Sequence, residues 1–204
     1  MPLVRKPSTI AAETPAPPSA LRTGATNERW SAARGLTAPA DVPALTAALR
    51  AEPDARVREA ILTSLARIGT PESAEAVIPY IRSEDAGLRT AALDSLRTMP
   101  GHALAAGMPG LLADADPDVR LLACELLRTS PGARATQLLS DLIDRDPEAN
   151  VCAAAIDVLA EVGGADALSS LERCAARFAT EPFLVFATKV AIDRIRTQPA
   201  DRLD

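Results

Sequence analysis

The chain has 204 residues, of which 48% are hydrophobic and only 2% aromatic, and 22 Lys+Arg against 27 Asp+Glu give it a net charge of −5. A chain of this length can bury one sizeable core, and its Ala- and Leu-rich apolar content favours helices over strands. Because a protein that holds phosphate backbones needs an excess of basic residues on one face, the acidic balance argues against nucleic acid as a partner. No window approaches about 18 consecutive apolar residues, which argues against a membrane span.

The first segment, residues 1–26, combines five prolines with Ser, Thr and Ala. Such a composition does not sustain a helix and buries little surface. We therefore expect residues 1–26 to form a disordered Pro/Ala-rich tail. The same segment contains the basic sequence LVRKPSTI, which leaves a second interpretation open. Residues 3–10 could dock on a partner or fold back onto the rest of the chain and regulate access to it.

Four segments of similar sequence follow the tail at a nearly constant spacing. They are VREAILTSLARIG from Val57, LRTAALDSLRTMP from Leu88, VRLLACELLRTSP from Val119 and VCAAAIDVLAEVG from Val151, with starts 31, 31 and 32 residues apart. In each segment apolar residues recur at helical spacing, and a Gly or Pro follows the last of them. The repeated segment is therefore predicted to be a helix.

Weaker copies of the same pattern begin at Glu28 and Leu184, which brings the number of units to six. Shorter segments with helical apolar spacing lie between the copies, at 42–49, 71–81, 103–112, 133–143 and 165–175. Each unit is thus predicted to be a helical hairpin with a first and a second helix. Since one hairpin leaves its apolar stripe open to water, neighbouring hairpins must stack into a continuous core.

Capping residues mark the predicted helix boundaries. A capping side chain precedes a proline, which favours the first helical position, at Thr70-Pro71, Asp116-Pro117 and Asp146-Pro147. Residues that stop helices are expected to end the preceding ones at Gly69, Pro100, Pro131 and Gly163-Gly164.

The run Asp-x-x-(Val/Leu)-Arg recurs in three units, from Asp54, Asp85 and Asp116. On this run the sequence resembles the HEAT repeats, in the short bacterial form often called PBS-lyase HEAT-like. The resemblance implies an all-α fold, a right-handed α-solenoid (α-α superhelix) of five to six HEAT-like helical hairpins over residues 27–197. Residues 198–204 are then a short C-terminal tail. The fifth unit departs from the pattern because Glu148 replaces the aspartate and Cys152 the arginine.

The resemblance also implies a structural role for the repeated Asp and Arg. In HEAT proteins such residues cap the second helix and link adjacent repeats through charge-assisted hydrogen bonds. The residues concerned are Asp54, Arg58, Asp85, Arg89, Asp116 and Arg120. We therefore expect a stabilising ladder rather than a catalytic constellation.

The second helices of HEAT arrays usually line the concave face, which makes their outward residues the predicted partner-binding surface. Helical spacing turns the third, seventh and tenth or eleventh positions of each helix outward. These positions are Trp30, Arg34, Glu59, Thr63, Arg67, Thr90, Asp94, Arg97, Leu121, Glu125, Arg128, Asp157 and Glu161. Trp30 and Leu121 are the candidate apolar anchors of this mixed-charge ridge. Trp30 could instead cover the open end of the first repeat.

Little in the sequence supports a catalytic site, a cofactor or a metal. The cysteines Cys124, Cys152 and Cys174 are widely spaced and form no C-x-x-C pair, as expected for reduced thiols of a cytoplasmic protein. His102 is the single histidine, which leaves a serine nucleophile or a metal without an evident partner. No glycine motif that binds phosphate is present.

The last segment contains all three phenylalanines, Phe178, Phe183 and Phe186. Either they close the C-terminal end of the array, or they form an apolar docking patch for a partner or a second copy. We predict a non-catalytic protein-binding scaffold that presents the concave ridge to another protein and is a monomer or a weak homodimer through this end. The alternative is an accessory phycobilin-lyase-like protein or another HEAT protein that binds a small ligand. A HEAT-like DNA glycosylase fits the acidic repeat region poorly.

Overall fold

The computed structural model describes residues 19–130 and 132–197. Within these residues the chain forms thirteen α-helices joined by turns and short 3₁₀ segments, and no strand. The helices are α1 Ala20–Thr23, α2 Thr26–Gly35, α3 Val42–Ala51, α4 Ala55–Ile68, α5 Pro71–Val77, α6 Ala86–Thr98, α7 Gly101–Leu104, α8 Met108–Leu111, α9 Pro117–Leu126, α10 Gly132–Arg145, α11 Ala149–Val162, α12 Leu168–Arg177 and α13 Pro182–Thr197. The predicted all-α fold is confirmed.

The helices form two layers, because each repeat contributes a first and a second helix. The second helices are α2, α4, α6, α9, α11 and α13, and the first layer contains α1, α3, α5, the pair α7 and α8, α10, and α12. One cluster of buried Leu, Ile, Val, Ala and Met side chains extends from Leu21 to Ile195. The described residues therefore form an α-solenoid of six hairpins, which we number repeats 1 to 6.

Helix α4 shows how the sequence sets the limits of a second helix. Asp54 Oδ1 accepts hydrogen bonds from the amides of Arg56 and Val57 at 3.0 and 3.1 Å. These bonds satisfy amides that the first turn leaves without an intrahelical partner. The helix ends at Gly69, which adopts a left-handed conformation with φ 63°. A Cβ there would also lie 2.9 Å from Pro100 Cδ, so both the backbone and the packing require glycine.

Two of the three predicted cap-proline starts agree with the structure, and one does not. Thr70 accepts from the Ser73 amide before α5, and Asp116 accepts from the Asp118 amide before α9. Asp146, however, lies two residues before the helix cap, and α11 begins at Ala149. The prediction was wrong because the Asp146 carboxylate is buried in an ion pair with the preceding repeat.

The array begins within the segment that the sequence predicts to be a tail. Helix α1 lies at Ala20–Thr23, the Leu21 side chain is buried in the core, and α2 begins at Thr26. The proline-rich composition therefore does not prevent a helix after Pro18, because Leu21 supplies an apolar side chain that packs in the first repeat. Residues 1–18, including the proposed docking peptide 3–10, lie outside the described residues, as do Pro131 and the predicted tail 198–204.

The first helices of repeats 3 and 4 are less regular than predicted. Beyond Val77 the chain tightens into a 3₁₀ segment at Ile78–Arg82. The helix predicted over 103–112 is instead divided between α7 and α8. Pro109, which follows the first residue of α8, lacks the amide that a continuous helix would need there. A Cβ at Gly107 would lie 2.5 Å from Ile78 Cδ1, so the division also allows close packing on repeat 3.

The second helices pack closely within two groups, α2–α4–α6 and α9–α11–α13, whereas α6 and α9 are not in comparably close contact. One position, which faces the preceding second helix, differs between the repeats. In α4 it is Ala60, one turn before Ser64, and Ser64 donates a hydrogen bond to the Ala33 carbonyl of α2. It is occupied by Ala60, Ala91, Leu122, Ala154 and Ala187 in repeats 2 to 6. Since the distance between packed helices depends on the side chains at their contact, Leu122 supplies a physical reason for the wider separation of α6 and α9.

Candidate partner-binding surface

A groove of about 1070 Å³ lies between the second helices α4 and α6. Its lining includes five residues of the predicted ridge, Glu59, Thr63, Arg67, Thr90 and Asp94. The floor is apolar and is formed by Leu62, Ala66, Leu88 and Ala91. Because most of the lining side chains are small, a polypeptide segment can approach the helix backbones closely.

The walls of the groove carry equal numbers of positively and negatively charged side chains. The guanidinium groups belong to Arg56, Arg58 and Arg67, and the carboxylates to Glu59, Asp85 and Asp94. No histidine, cysteine or aromatic residue is among its lining residues. The groove therefore offers paired donors and acceptors around an apolar floor.

Trp30 lies in repeat 1 and is not a freely exposed anchor. Its side chain is half-buried and packs against the core. The guanidinium carbons of Arg34 and Arg56 lie 4.6 and 4.5 Å from the ring centroid, within cation–π distance. This arrangement agrees with the interpretation in which Trp30 covers the first repeat. Leu121, the other candidate anchor, is half-buried and also packs against the core.

The ridge arginines bind groups of the protein itself. Arg67 donates to the Arg34 carbonyl at 2.7 Å, which caps the C-terminal end of α2. Arg97 contacts Asp94 at 3.4 Å, and both side chains are about half-exposed. A partner must therefore compete with these contacts or add to them.

Arg128 is the most highly paired arginine of the ridge. It forms ion pairs with Glu125 at 2.9 Å, and with Asp157 and Glu161 of the next repeat at 2.5 Å each. The hydrogen bond to Glu125, together with the other two carboxylates, raises the pKa of Arg128 above its usual range despite partial burial. This cluster joins α9 to α11 and leaves little of its positive charge for an external anion.

The predicted ladder is formed in part. Asp54, Asp85 and Asp116 all accept from backbone amides at the start of their helices. Arg58 reaches Asp85 of the next repeat at 2.8 Å. The hydrogen bond from the Leu88 amide and the Arg58 guanidinium lower the pKa of Asp85.

The next link of the ladder, from Arg89 to Asp116, is not formed. Arg89 donates instead to the Ser83 carbonyl of its own repeat at 2.6 Å. The wider separation of α6 from α9 explains the difference, because it moves the Asp116 cap away from Arg89.

The strongest links use acidic residues that sequence reasoning missed, which lie two positions before the helix caps. Arg29 binds Glu52 through two hydrogen bonds of 2.8 and 2.9 Å. Arg120 binds Asp146 in the same bidentate way at 2.7 and 3.0 Å. The signal was available as an acid-x-acid pattern at 52–54, 114–116 and 146–148.

These acidic residues are held in their charged form. The Arg29 hydrogen bond lowers the pKa of Glu52 against the opposing effect of burial. Arg82, which pairs with Asp114 across repeats 3 and 4, lowers the pKa of Asp114 in the same way. Burial raises the pKa of Asp146, but hydrogen bonds from Arg120 and the Glu148 amide outweigh burial, and the net direction is downward.

Arg177 compensates for the missing arginine of repeat 5, where Cys152 occupies the ladder position. Its guanidinium donates to the Asp146 carbonyl at 2.9 Å and lies 3.5 Å from Cys152 Sγ. In repeat 4 the ladder arginine Arg120 donates to the equivalent carbonyl, that of Asp114, also at 2.9 Å.

All three cysteines are buried, and burial raises the pKa of the Cys124 thiol to about 12.

The phenylalanines do not act together. Phe178 is half-buried and packs against the core, whereas Phe183 and Phe186 on α13 are 69% and 66% exposed. The interpretation in which all three close the end of the array is therefore wrong. Phe186 occupies in its helix the position that Trp30 and Leu121 occupy in theirs, so α13 continues the ridge with apolar side chains.

His102 is exposed on α7. Over residues 19–130 and 132–197, no group of three or more His, Cys, Asp or Glu side chains is arranged to hold a metal ion. In the same part of the chain, no helix combines the length and the apolar character needed to cross a bilayer.

Comparison with known proteins adds the family. A crystal structure of an engineered protein from the Northeast Structural Genomics Consortium is 18% identical, with a TM-score of 0.46, and the match covers 88% of this chain and 95% of that one. Comparison with curated proteins finds no significant match. The family model for HEAT repeats matches residues 19–97 and 104–179, and the two segments divide where the close packing of the second helices is interrupted. The chain therefore belongs to the HEAT repeat family.

Proposed function

We propose that this protein is a non-catalytic scaffold that binds another protein through the groove between α4 and α6 and the adjoining ridge. The observation that supports this most is the groove itself, because five of the predicted ridge residues line one continuous surface of two packed helices. A groove with an apolar floor and charged walls suits a polypeptide segment that has small apolar residues and both signs of charge.

The mechanism is rigid presentation of this surface. Stacked hairpins hold α4 and α6 in place through a shared core. Little conformational entropy is then lost by the scaffold when the partner binds. Association needs few rearrangements beyond exchange of the exposed Asp94–Arg97 contact.

The test places a photo-crosslinking amino acid at Thr63, which is exposed in the groove, or at Glu75, which is exposed on the first-layer helix α5. In cells of the native source, we expect one discrete adduct from position 63 and none from position 75. A second substitution, Thr90→Arg, adds a bulky charge to the opposite wall and should abolish the adduct without changing the helical circular dichroism spectrum.

Once the partner is purified, its affinity for the variants tests the proposal quantitatively. Binding measured by calorimetry should weaken at least tenfold for Thr90→Arg and remain within twofold of wild type for a matched first-layer change, Glu75→Arg. Equal affinity for both variants contradicts the assignment of the groove.

The volume of the groove favours a second candidate, a small-ligand binder such as a phycobilin-lyase-like protein, because pockets for small molecules have volumes of roughly 300–1000 Å³. Its lining fits this candidate less well, since no aromatic ring is available to hold a linear tetrapyrrole. A visible absorption band on protein purified from a bilin-producing cell would support this candidate over the scaffold.

A further inference from the structure

An apolar stripe lies along the exposed side of α13, the last second helix. It consists of Phe183, Phe186 and Val190, and their exposed fractions are 69%, 66% and 38%. Their spacing of three and then four residues places them in one row on the helix surface. Leu184, Thr188 and Ala191, on another side of the helix, are buried against the array. The stripe is therefore a second apolar surface of α13, separate from the one that packs in the core.

The stripe is distinct from the surface on which a further repeat would stack. In α11 that surface contains Cys152 and Ile156, both buried, and Arg177 of the next repeat lies 3.5 Å from Cys152 Sγ. At the equivalent positions α13 has Val185, which is 40% exposed, and the charged Lys189. A charged end surface opposes continuation of the array, as in the capping repeats of solenoid proteins. Burial of the stripe thus requires a different contact.

We propose that the stripe is the contact surface of a homodimer, in which α13 of one copy packs against α13 of a second copy in antiparallel orientation. The row of apolar residues at spacings of three and four is the pattern by which helices pack on one another. An identical helix presents the same row, so the surface is complementary to itself about a two-fold axis.

The charges beside the stripe select the antiparallel orientation. Asp193 continues the row by three residues, and Lys189 and Arg194 lie beside it, all of them exposed. In a parallel pair, Asp193 would face its own copy and Lys189 would approach the Arg194 of the other helix. Like charges at such distances are unfavourable. In an antiparallel pair these like charges are separated, and the C-terminal part of one α13 approaches the N-terminal end of the other. There Arg194 is placed near the exposed Glu181, which directly precedes the opposing helix and bears the opposite charge.

The area of the stripe sets the strength of the dimer. A phenylalanine side chain offers about 200 Å², so the exposed fractions leave roughly 300 Å² of apolar surface on each copy. Stable interfaces bury about 800 Å² on each partner, somewhat more than half of it apolar. The homodimer is therefore weak and reversible.

The test is sedimentation equilibrium of the full chain between about 10 µM and about 1 mM. The weight-average mass should rise from the 21.3 kDa of the monomer toward twice that value. Phe186→Asp should raise the half-association concentration at least tenfold, and Phe183→Ser should act in the same direction. Val185→Asp is the matched control, since it adds the same charge to the same helix on the end surface, and it should leave association unchanged.

Three results would overturn the proposal. A chain that remains monomeric at the highest concentration excludes it. A dimer that resists Phe186→Asp, or one that Val185→Asp disrupts, assigns the contact to another surface. The orientation is tested by Asp193→Cys under mild oxidation, because a parallel pair would form a disulfide between the copies and the antiparallel pair keeps these residues apart. Thr90→Arg in the groove should not change the mass, so the outcome is independent of the scaffold proposal.

Discussion

The junction between repeats 4 and 5 and the junction between repeats 3 and 4 differ although they follow one another along the same array. At the first, α9 packs closely on α11, and the Arg120–Asp146 pair has side chains only 11% and 3% exposed. At the second, α6 and α9 are farther apart, and the ion pair joins Arg82, in the 3₁₀ segment of repeat 3, to the less exposed Asp114 before α9. Both junctions therefore have an Arg–Asp pair, but only the junction between repeats 4 and 5 combines it with close packing of the second helices.

This difference shows that repeat periodicity and repeat packing are separate properties. The period depends on apolar spacing and caps, which are regular in repeats 2 to 4. The packing depends on single positions such as Leu122, where the neighbouring repeats have alanine. Because solenoid stability is close to a sum of repeat and nearest-neighbour terms, the junction between repeats 3 and 4 is the expected point of separation.

The largest expected effect is the loss of the buried ion pair at the junction between repeats 4 and 5. Arg120→Ala leaves the Asp146 carboxylate without its guanidinium in a place that is almost closed to water. Leaving one buried charge unpaired costs about 3 kcal/mol. Urea unfolding at neutral pH should show a loss of this size in the free energy of unfolding.

The matched control for this variant is Arg58→Ala, which breaks the more exposed pair with Asp85. Exposed pairs contribute little to stability, so its unfolding curve should nearly superimpose on that of the wild type. Equal losses for the two variants would show that the burial of Asp146 has no energetic consequence.

The effect of Arg120→Ala should decrease in acid. In the wild type the pKa of Asp146 is below its usual value, so this residue contributes stability above about pH 4, and the contribution is lost as the pH falls through the folded-state pKa. Without Arg120, burial raises the pKa of Asp146 instead, and protonation relieves the unpaired charge. Unfolding curves of wild type and variant measured from pH 7 to pH 3 should converge. A difference that is independent of pH would assign the loss to packing of the arginine side chain.

Much of the fold could be predicted from the sequence, because helix caps and apolar spacing act locally. The limits of α4 follow from Asp54 and Gly69. The role of Asp146 was missed although the acid-x-acid pattern at 146–148 was visible, because a proline after an acidic residue resembles a helix start. The burial of the carboxylate follows only from the position of Arg120 in the fold. The groove between α4 and α6 was predicted only as a row of outward residues, because the separation of two helices depends on contacts distant in sequence.

A smaller destabilisation than that of Arg120→Ala tests the role of the position that faces the preceding helix. Ala154→Leu introduces in repeat 5 the side chain that Leu122 supplies in repeat 4, but between helices that pack closely, α9 and α11. Added methylene groups in a packed contact force displacement and cost about 2 kcal/mol. Thermal unfolding should show this destabilisation, whereas the volume-conserving control Leu122→Met, where α9 already lies farther from α6, should change stability little. If Ala154→Leu is as stable as the wild type, the size of this residue does not set the spacing of the second helices, and the separation of α6 from α9 must arise from the divided first helix of repeat 4.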